Sequence, residues 1–463
     1  MHKFTRVAVA LMLTGIVSAC AVGPDYQAPD NVSTIELTTS YQTADAVKSW
    51  WQAFEDETLS SLIELALTEN RSLHEALANV RRAQAVFSES GAQRWPQGSV
   101  SAGYQAVENT SLLDADDGVQ LRGFNTGLSL NWDADLAGKL VRAEQAALAR
   151  AEQADLLWRD AQLQVISQVV NSYGQYRGAQ IRLVCAQMNL AFLQQSRDVI
   201  QAQVDAGTAT TFELAQIDTQ IHRVETDIPS MRIAQATAKR TLAALVARQA
   251  DELELGGAAS LPTLRSPLPV AQGENYLQYR PDVASAERAL AASVADIGVA
   301  TASLYPSLSV SGFLGFLSSP GLALNSASQS WSIAPTLQWS GLNWSAVKAQ
   351  VRASNAEADA QLARFEQSVI EAVNDMDLSL QSYQFSREQL ASAKQQFKAS
   401  QQSASIARIR YEEGSLEFLQ LLDTERELIA SRDQLAQIEQ THFLRLVEVY
   451  RSFSGALQWQ QPG

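Results

Sequence analysis

The chain has 463 residues, a formal net charge of −15 and 46% hydrophobic residues. That size allows a sizeable core, and the acidic balance disfavours nucleic acid or acidic lipid surfaces as partners. It has 2 cysteines, Cys20 and Cys185, with Cys20 at the end of an export leader, so a disulfide framework within the chain is excluded.

Residues 1–19 read as a cleaved signal. Lys3 and Arg6 make a basic start, Val7 to Val17 a short apolar run, and Val17-Ser18-Ala19 place small residues ahead of Cys20. Loss of the leader makes the remaining chain more acidic still. Beyond it no run of about 18 apolar residues occurs, so no membrane-spanning helix is expected. Residues 20–48, with Gly23-Pro24 and Ala28-Pro29, read as an extended arm.

A first repeat is expected over 49–250. Trp50-Trp51 and Phe54 open it, and a helix is predicted from Glu57 to Ala92, with Leu62, Leu65, Leu73, Leu77 and Val80 on one face. The helix stops before Trp95-Pro96. The period then changes to two. Val100, Ala102, Tyr104 and Ala106 alternate with Ser99, Ser101, Gly103 and Gln105, which predicts a strand over 99–108. After the acidic loop Glu108–Gly118, Phe124, Leu128, Leu130 and Trp132 alternate with Asn125, Gly127, Ser129 and Asn131, predicting a strand over 122–132. Ten alternating residues suit a tilted strand with lipid on one side and water on the other. Alone, this pair fits a hairpin on a soluble sheet equally well.

The longest feature follows: a proline-free helical reading over 139–206, roughly 68 residues and about 100 Å at 1.5 Å per residue. Leu148, Leu156, Leu163, Ile166, Val170 and Tyr173 recur at helical spacing, and the charges Arg150, Glu152, Asp155, Arg159 and Asp160 exclude a span through lipid. Cys185, among Leu183, Val184 and Met188, reads as a small core residue. The rod turns at Asp205-Ala206-Gly207-Thr208 and a helix returns.

A linker over 251–272, with Leu261 to Pro269 rich in proline, leads to a second repeat over 273–456 and a tail over 457–463. Its order is the same. A helix runs from Arg280-Pro281-Asp282 to Leu304 and stops at Tyr305-Pro306, strands follow over 307–317 and 330–340, and a second rod over 345–413 turns at Glu413-Gly414-Ser415. At an offset of about 207 to 210 residues, Trp95-Pro96 falls on Tyr305-Pro306, Trp132 on Trp339, Gly207 on Gly414, Phe212 on Leu419 and Leu214 on Leu421. The chain is a tandem duplication, with Trp and Tyr at the strand ends, where an aromatic girdle would meet headgroups.

Strand number bears on assembly. Four strands cannot close, and open edges are not tolerated in hydrocarbon. Two chains give eight strands, whose interior is filled or holds one small ligand, whereas three give twelve and leave a conduit.

No catalytic constellation is present. His74, His222 and His442 lie in separate helices without carboxylate or cysteine partners at ligand spacing, and no phosphate-cradling loop, G-x-S-x-G or C-x-x-C occurs. No enzyme activity, metal or cofactor is expected. Each Gly of the two turns suits a positive φ that ends a rod. Just beyond the second turn, Leu419 and Asp423 share a helix face; taken alone, they read as helix packing and a solvated charge.

Several stretches in order resemble the outer-membrane efflux factors of the TolC/OprM type, in the NodT-type lipoprotein branch that serves resistance-nodulation-division pumps. Cys20-Ala21-Val22-Gly23-Pro24-Asp25-Tyr26 with Pro29 resembles the mature N-terminus of that branch. Trp51 to Phe54 and on to Leu62-Ile63 resembles its first-helix entry. Tyr279-Arg280-Pro281-Asp282-Val283 is similar to its RRPDI helix start, with Tyr279 in place of the first Arg, and Asp296-Ile297-Gly298 through Tyr305-Pro306-Ser307-Leu308 is similar to its helix-to-strand junction. Two positions depart: Ala137 stands where Phe is usual, and Ser340 where Pro is usual.

The resemblance implies a mainly α chain with a membrane β-barrel: a homotrimer whose four strands per chain form a twelve-stranded outer-membrane barrel, continued by a helical periplasmic barrel. It implies N-terminal acyl and diacylglycerol groups on Cys20 as the only attached groups, with Ala21, rather than Asp, agreeing with transfer to the outer membrane of a Gram-negative cell. It implies a periplasmic gate at Leu419 and Asp423, possible gate-stabilising contacts at Tyr411 and Glu213, and rod-tip turns at Gly207 and Gly414 that dock a periplasmic adaptor. Gln420 stands where some members carry a further Asp. The implied function is the passive exit duct of a tripartite efflux system for small molecules, fed by an inner-membrane pump. The alternatives are a duct for type I protein secretion and a non-channel coiled-coil lipoprotein, which would lack barrel-length strands.

Overall fold

The computed structural model describes residues 21–29, 50–109, 119–257, 259–263, 277, 280–318, 326–339 and 343–453. Cys20, Tyr279 and Ser340 therefore lie outside the described residues, as do the leader, most of the arm and the tail. The elements are α1 Glu57–Glu69, α2 Arg71–Ala92, β1 Gln97–Asn109, β2 Val119–Asp133, α3 Lys139–Asp205, α4 Thr211–Leu245, α5 Pro281–Ala302, β3 Ser307–Ser318, β4 Gln329–Gln338, α6 Trp344–Glu412 and α7 Phe418–Phe453. Both rods are present, α3 with 67 residues and α6 with 69. No described helix is long and apolar enough to cross a membrane.

Two compact units divide the chain, and each takes pieces of both repeats: residues 1–29, 78–155 and 285–367 in one, and 30–77, 156–284 and 368–463 in the other. The first unit holds a four-stranded antiparallel sheet in the order β1-β2-β3-β4. The register places apolar residues opposite one another: Val100 faces Leu128, Leu128 faces Leu314, and Leu314 faces Trp331. These side chains are exposed in the chain. Tyr104 and Phe124, also opposite, bring their rings to 4.9 Å. The other face carries Ser99, Ser129, Phe313 and Ser332 in one row. Within β3, Phe313 and Leu317 are the apolar residues that alternation puts on this polar face. The Phe313 ring lies over Gly127 and Gly315, which face each other across β2 and β3.

The strand ends are fastened alike in both repeats. The Trp132 indole N–H donates to the Arg94 carbonyl at 3.1 Å, and the Trp339 indole N–H to the Leu304 carbonyl at 3.1 Å. Between β2 and α3, Asp135 accepts from the Leu140 and Val141 backbone N–H groups, each at 3.0 Å, and caps the rod. The start of the arm is clamped there as well. Arg142, its side chain 5% exposed, donates to the Val22 and Gly23 carbonyls and to Asp25 at 2.8 Å, while Val22 N–H donates to the Ala137 carbonyl at 3.1 Å. Ala137, where the resemblance leads one to expect Phe, is buried beneath the arm. Farther along, Tyr26 packs on Ala149, Ala291 and Ala292 and donates to Glu287 at 2.7 Å.

The second unit holds the main core, which joins Trp50, Trp51, Phe54, Leu59, Ile63, Tyr173, Leu242, Phe443 and Tyr450. Trp50 stacks on Tyr450 with ring centres 4.9 Å apart. Asp56 caps α1 through Leu59 N–H at 2.9 Å and accepts from the Tyr173 hydroxyl at 2.8 Å. Burial is the main cause that pushes this phenol up to about 12. Arg280 donates to both Asp282 oxygens (3.0 and 2.7 Å), to Asp375 (3.3 Å) and to the Ala372 and Ser452 carbonyls (3.3 and 3.2 Å).

One helix expected over Glu57–Ala92 is in fact two. Asn70 leaves helical geometry with ψ 125°, its Oδ1 accepts from Ser72 and Leu73 N–H at 3.0 and 3.2 Å, and its Nδ2 donates to the Leu245 carbonyl at 2.7 Å. The side chain caps α2 and ties it to the end of α4, and those bonds outweigh helical continuity.

His442 packs between α6 and α7. Ser386 donates its hydroxyl hydrogen to the Tyr383 carbonyl at 2.7 Å, so His442 Nδ1–H must be the donor in the 2.8 Å contact with Ser386 Oγ. Burial, reinforced by Arg387 and Lys394, holds the imidazole below its ordinary value. The folded state therefore favours the neutral ring, and this stabilisation is complete above about pH 6.5 and lost as pH falls through the lower folded value. We expect the thermal midpoint to drop on acidification from about pH 7 to about pH 5, and to drop less in His442→Gln; equal losses in both proteins, followed by circular dichroism, would refute the assignment.

Candidate gate at the rod tips

Both rods end in the same turn. After α3, Gly207 N–H donates to the Val204 carbonyl (2.9 Å) and Thr208 N–H to the Gln203 carbonyl (2.8 Å); after α6, Gly414 N–H donates to the Tyr411 carbonyl (2.9 Å) and Ser415 N–H to the Arg410 carbonyl (2.8 Å). Even the hydroxyls agree, with Thr208 and Ser415 each donating at 3.0 Å to that same carbonyl. This is the Schellman arrangement, which needs a left-handed residue after the helix. Gly207 has φ +75° and Gly414 φ +72°.

The return helices start differently. α4 is capped by Thr210, which donates its N–H to Glu213 at 2.7 Å and accepts from Glu213 N–H at 3.4 Å. Glu213 is thus engaged in a cap within its own chain. In α7, Phe418 and Leu422 enter a small core with Leu193, Ile200, Ile217 and Ile221. Leu419 and Asp423, one residue on from each, stay at the surface, with Leu419 41% exposed and the Asp423 side chain 70%. Tyr411 lies against this core and donates its hydroxyl to Gln203 at 3.1 Å, linking the ends of α6 and α3.

Sequence reasoning missed the charges around this pair. Asp423 accepts from Arg426 at 3.1 Å, and the same guanidinium reaches the Gln220 amide oxygen on α4 at 2.8 and 3.2 Å once that amide is turned to face it. The spacing of three between Asp423 and Arg426 is a legible helix signal. Its link to Gln220 is not. Deeper in, Arg408 grips the buried Glu425 at 2.6 and 2.8 Å and lies over the Phe192 ring. Asp423 and Arg426 border a groove of about 780 Å³ between α3, α4 and α7. Cys185 lines it half-buried rather than sitting in a core, with its thiol pushed up mainly by burial. His222 does have a carboxylate partner, contrary to expectation: Glu225, one helical turn on, at 2.9 Å, both exposed. It is a surface helix pair and gathers no third group.

Comparison with known proteins decides the family. The profile of the family described as Outer membrane efflux protein matches residues 62–248 and 273–452. The chain belongs to that family. As an outer membrane efflux protein it is a channel component of an efflux system and not an enzyme. Nodulation protein T of Rhizobium leguminosarum bv. viciae is 26% identical over 94% of this chain and 90% of its own length. Cation efflux system protein CusC of Escherichia coli (strain K12) is 28% identical over 98% and 99%. The solved structure of the outer-membrane channel OprN has a TM-score of 0.89 and 34% identity, covering 95% of this chain and 100% of that one. The fold is the expected one: a mainly helical, twice-repeated chain that contributes four strands to a trimeric barrel. A coiled-coil spacer without barrel strands is ruled out.

Proposed function

We propose that this protein is the lipid-anchored exit duct of a tripartite efflux system in the outer membrane of a Gram-negative cell. Three copies join the free edges of β1 and β4 into one closed wall. A periplasmic adaptor docks at the turns around Gly207 and Gly414, and an inner-membrane pump of the resistance-nodulation-division type supplies energy and selects cargo. The observation that carries this reading is the four-stranded sheet, apolar on one face and polar on the other, in a chain that also carries two rods ending in identical turns. The names of relatives refer to cations, pyoverdine and solvents, which supports a duct that does not itself choose the cargo. Residues 20–48 are the arm of an anchored chain, and the clamp of Arg142 on residues 22–25 supports lipid attachment at the neighbouring Cys20.

The gate lies at Leu419 and Asp423, with Tyr411 and Glu213 steadying the tips. Three Leu419 side chains narrow the mouth by dewetting, and three Asp423–Arg426 pairs ring it with compensated charge. Leu419→Ala with Asp423→Ala is expected to raise single-channel conductance of the purified trimer in planar bilayers. Unchanged conductance would overturn the gate assignment. Deletion of the gene should sensitise the cell to the pump's substrates only where the partner pump is present.

A further inference from the structure

The two return helices bury different faces. Phe418 and Leu422 of α7 are buried, whereas the matching Thr211 and Ala215 of α4 are exposed. The cause is a neighbour that only α7 has inside the chain, the rod α3 of the other repeat. Near the tip Phe418 and Leu422 share a core with Leu193 and Ile200 of α3. Farther up, Asp433 pairs with Arg182 at 2.6 Å, and two glycines of α3 let α7 come close. A Cβ on Gly178 would strike Gln440, and one on Gly174 would lie within 2.6 Å of Phe443 Cδ1.

Shifted by 207 residues, the spacing from Gly207 to Gly414, this α3–α7 junction becomes a pairing of α6 with α4. Gly174 and Gly178 become Gln381 and Phe385, while Phe443 and Gln440 become Ala236 and Ile233. Phe385 is 62% exposed and Ile233 67%, and Leu378, two turns along the same face of α6, is 65% exposed. The sizes are exchanged between the helices. In the junction within the chain the rod supplies glycine and the return helix the ring. In the shifted pair the rod supplies the ring and the return helix offers Ala236.

The sheet says where the missing partner comes from. When the wall closes, β4 of one copy meets β1 of the next, so the second repeat of one copy adjoins the first repeat of another. We infer that α6 of each copy packs on α4 of the next, with Phe385 seated on Ile233 and Ala236 of the partner subunit. The inference rests on the trimeric duct reading above. The contact joins two different surfaces, so three of them close a ring. Gln389 and Thr226 stand where the junction within the chain has Arg182 and Asp433. No ion pair is available there, and the contact depends on its apolar side chains.

Cross-linking in a Cys185→Ser background tests this. Chains with Phe385→Cys and chains with Ile233→Cys, each with its own tag, are co-expressed, and outer-membrane fractions are oxidised with copper phenanthroline. The expected product is a disulfide-linked dimer holding both tags on non-reducing gels, absent when either variant is expressed alone. One chain carrying both cysteines should run as a covalent trimer. Phe385→Glu should lower the temperature at which the trimer dissociates on gels, while Phe385→Leu should keep it. If the purified protein is a monomer, the duct reading fails and takes this contact with it. If a heat-resistant trimer forms without the mixed dimer, or Phe385→Glu leaves its dissociation temperature unchanged, the trimer stands and the contact is wrong.

Discussion

Arg280→Ala is expected to destabilise the folded chain by about 1–3 kcal/mol, the range for leaving buried acceptors without their donor. The Arg280 side chain is 11% exposed and makes five hydrogen bonds. Truncation removes Arg280 from Asp282, which keeps the Val283 N–H at 2.9 Å, and leaves the Ala372 and Ser452 carbonyls without this donor, while Asp375 keeps Arg451 at 2.8 Å. Burial alone would push the Asp282 carboxyl up, but the bonds and charge of Arg280 outweigh it and hold the group below its ordinary value. A depressed carboxylate stabilises the fold fully above its unfolded value of about 3.9 and stops doing so as pH falls through the lower folded value. The deficit of the variant should therefore be largest near neutral pH and shrink in acid. Thermal unfolding of the detergent-purified protein followed by circular dichroism checks both points. A pH-independent deficit would point to lost packing instead. Arg280→Met should lose less than Arg280→Ala, because the longer side chain keeps the packing of the arginine stem.

The second large effect is expected at Gly315. A Cβ there would run into the Thr126 carbonyl oxygen and come within 2.6 Å of Gly127 Cα and 2.8 Å of Phe313 Cζ. Two of those obstacles are backbone, so no rotamer change relieves them. The β2–β3 ladder is where the hairpin of one repeat joins that of the other. Gly315→Val should therefore part the sheet and abolish heat-resistant trimer in outer-membrane fractions. Gly312 makes the internal comparison: its nearest neighbours to an added Cβ are Leu130 Cβ at 3.7 Å and the Ser332 carbonyl at 3.8 Å, so Gly312→Ala should assemble normally. Assembly of Gly315→Val at wild-type level would show that the two strands can separate locally without harm.

The strands were legible because period two is written directly in Ser99–Val107 and Trp331–Trp339, and the rods because charges recur along long proline-free stretches. The break at Asn70 was not, since the acceptor that rewards it, the Leu245 carbonyl, is 175 positions away in sequence. Phe313 spoils the alternation of β3 for a reason that appears only when Gly127 is found beneath its ring. At the tips, Leu419 and Asp423 could be placed on one face from spacing, but the reach of Arg426 to a neighbouring helix depends on how α4 and α7 pack.

The indoles of this sheet fall into two classes. Trp132 and Trp339 have their N–H groups committed to carbonyls of their own chain, so they can offer a bilayer only ring faces. Trp95 and Trp331, each 73% exposed, have no protein acceptor among the described residues. One stands before the first residue of β1 and the other beside the opposite rim, near the start of β4. One uncommitted indole thus stands toward each rim of the sheet, the place where a ring with a free N–H suits a headgroup layer, while the other pair acts as rivets.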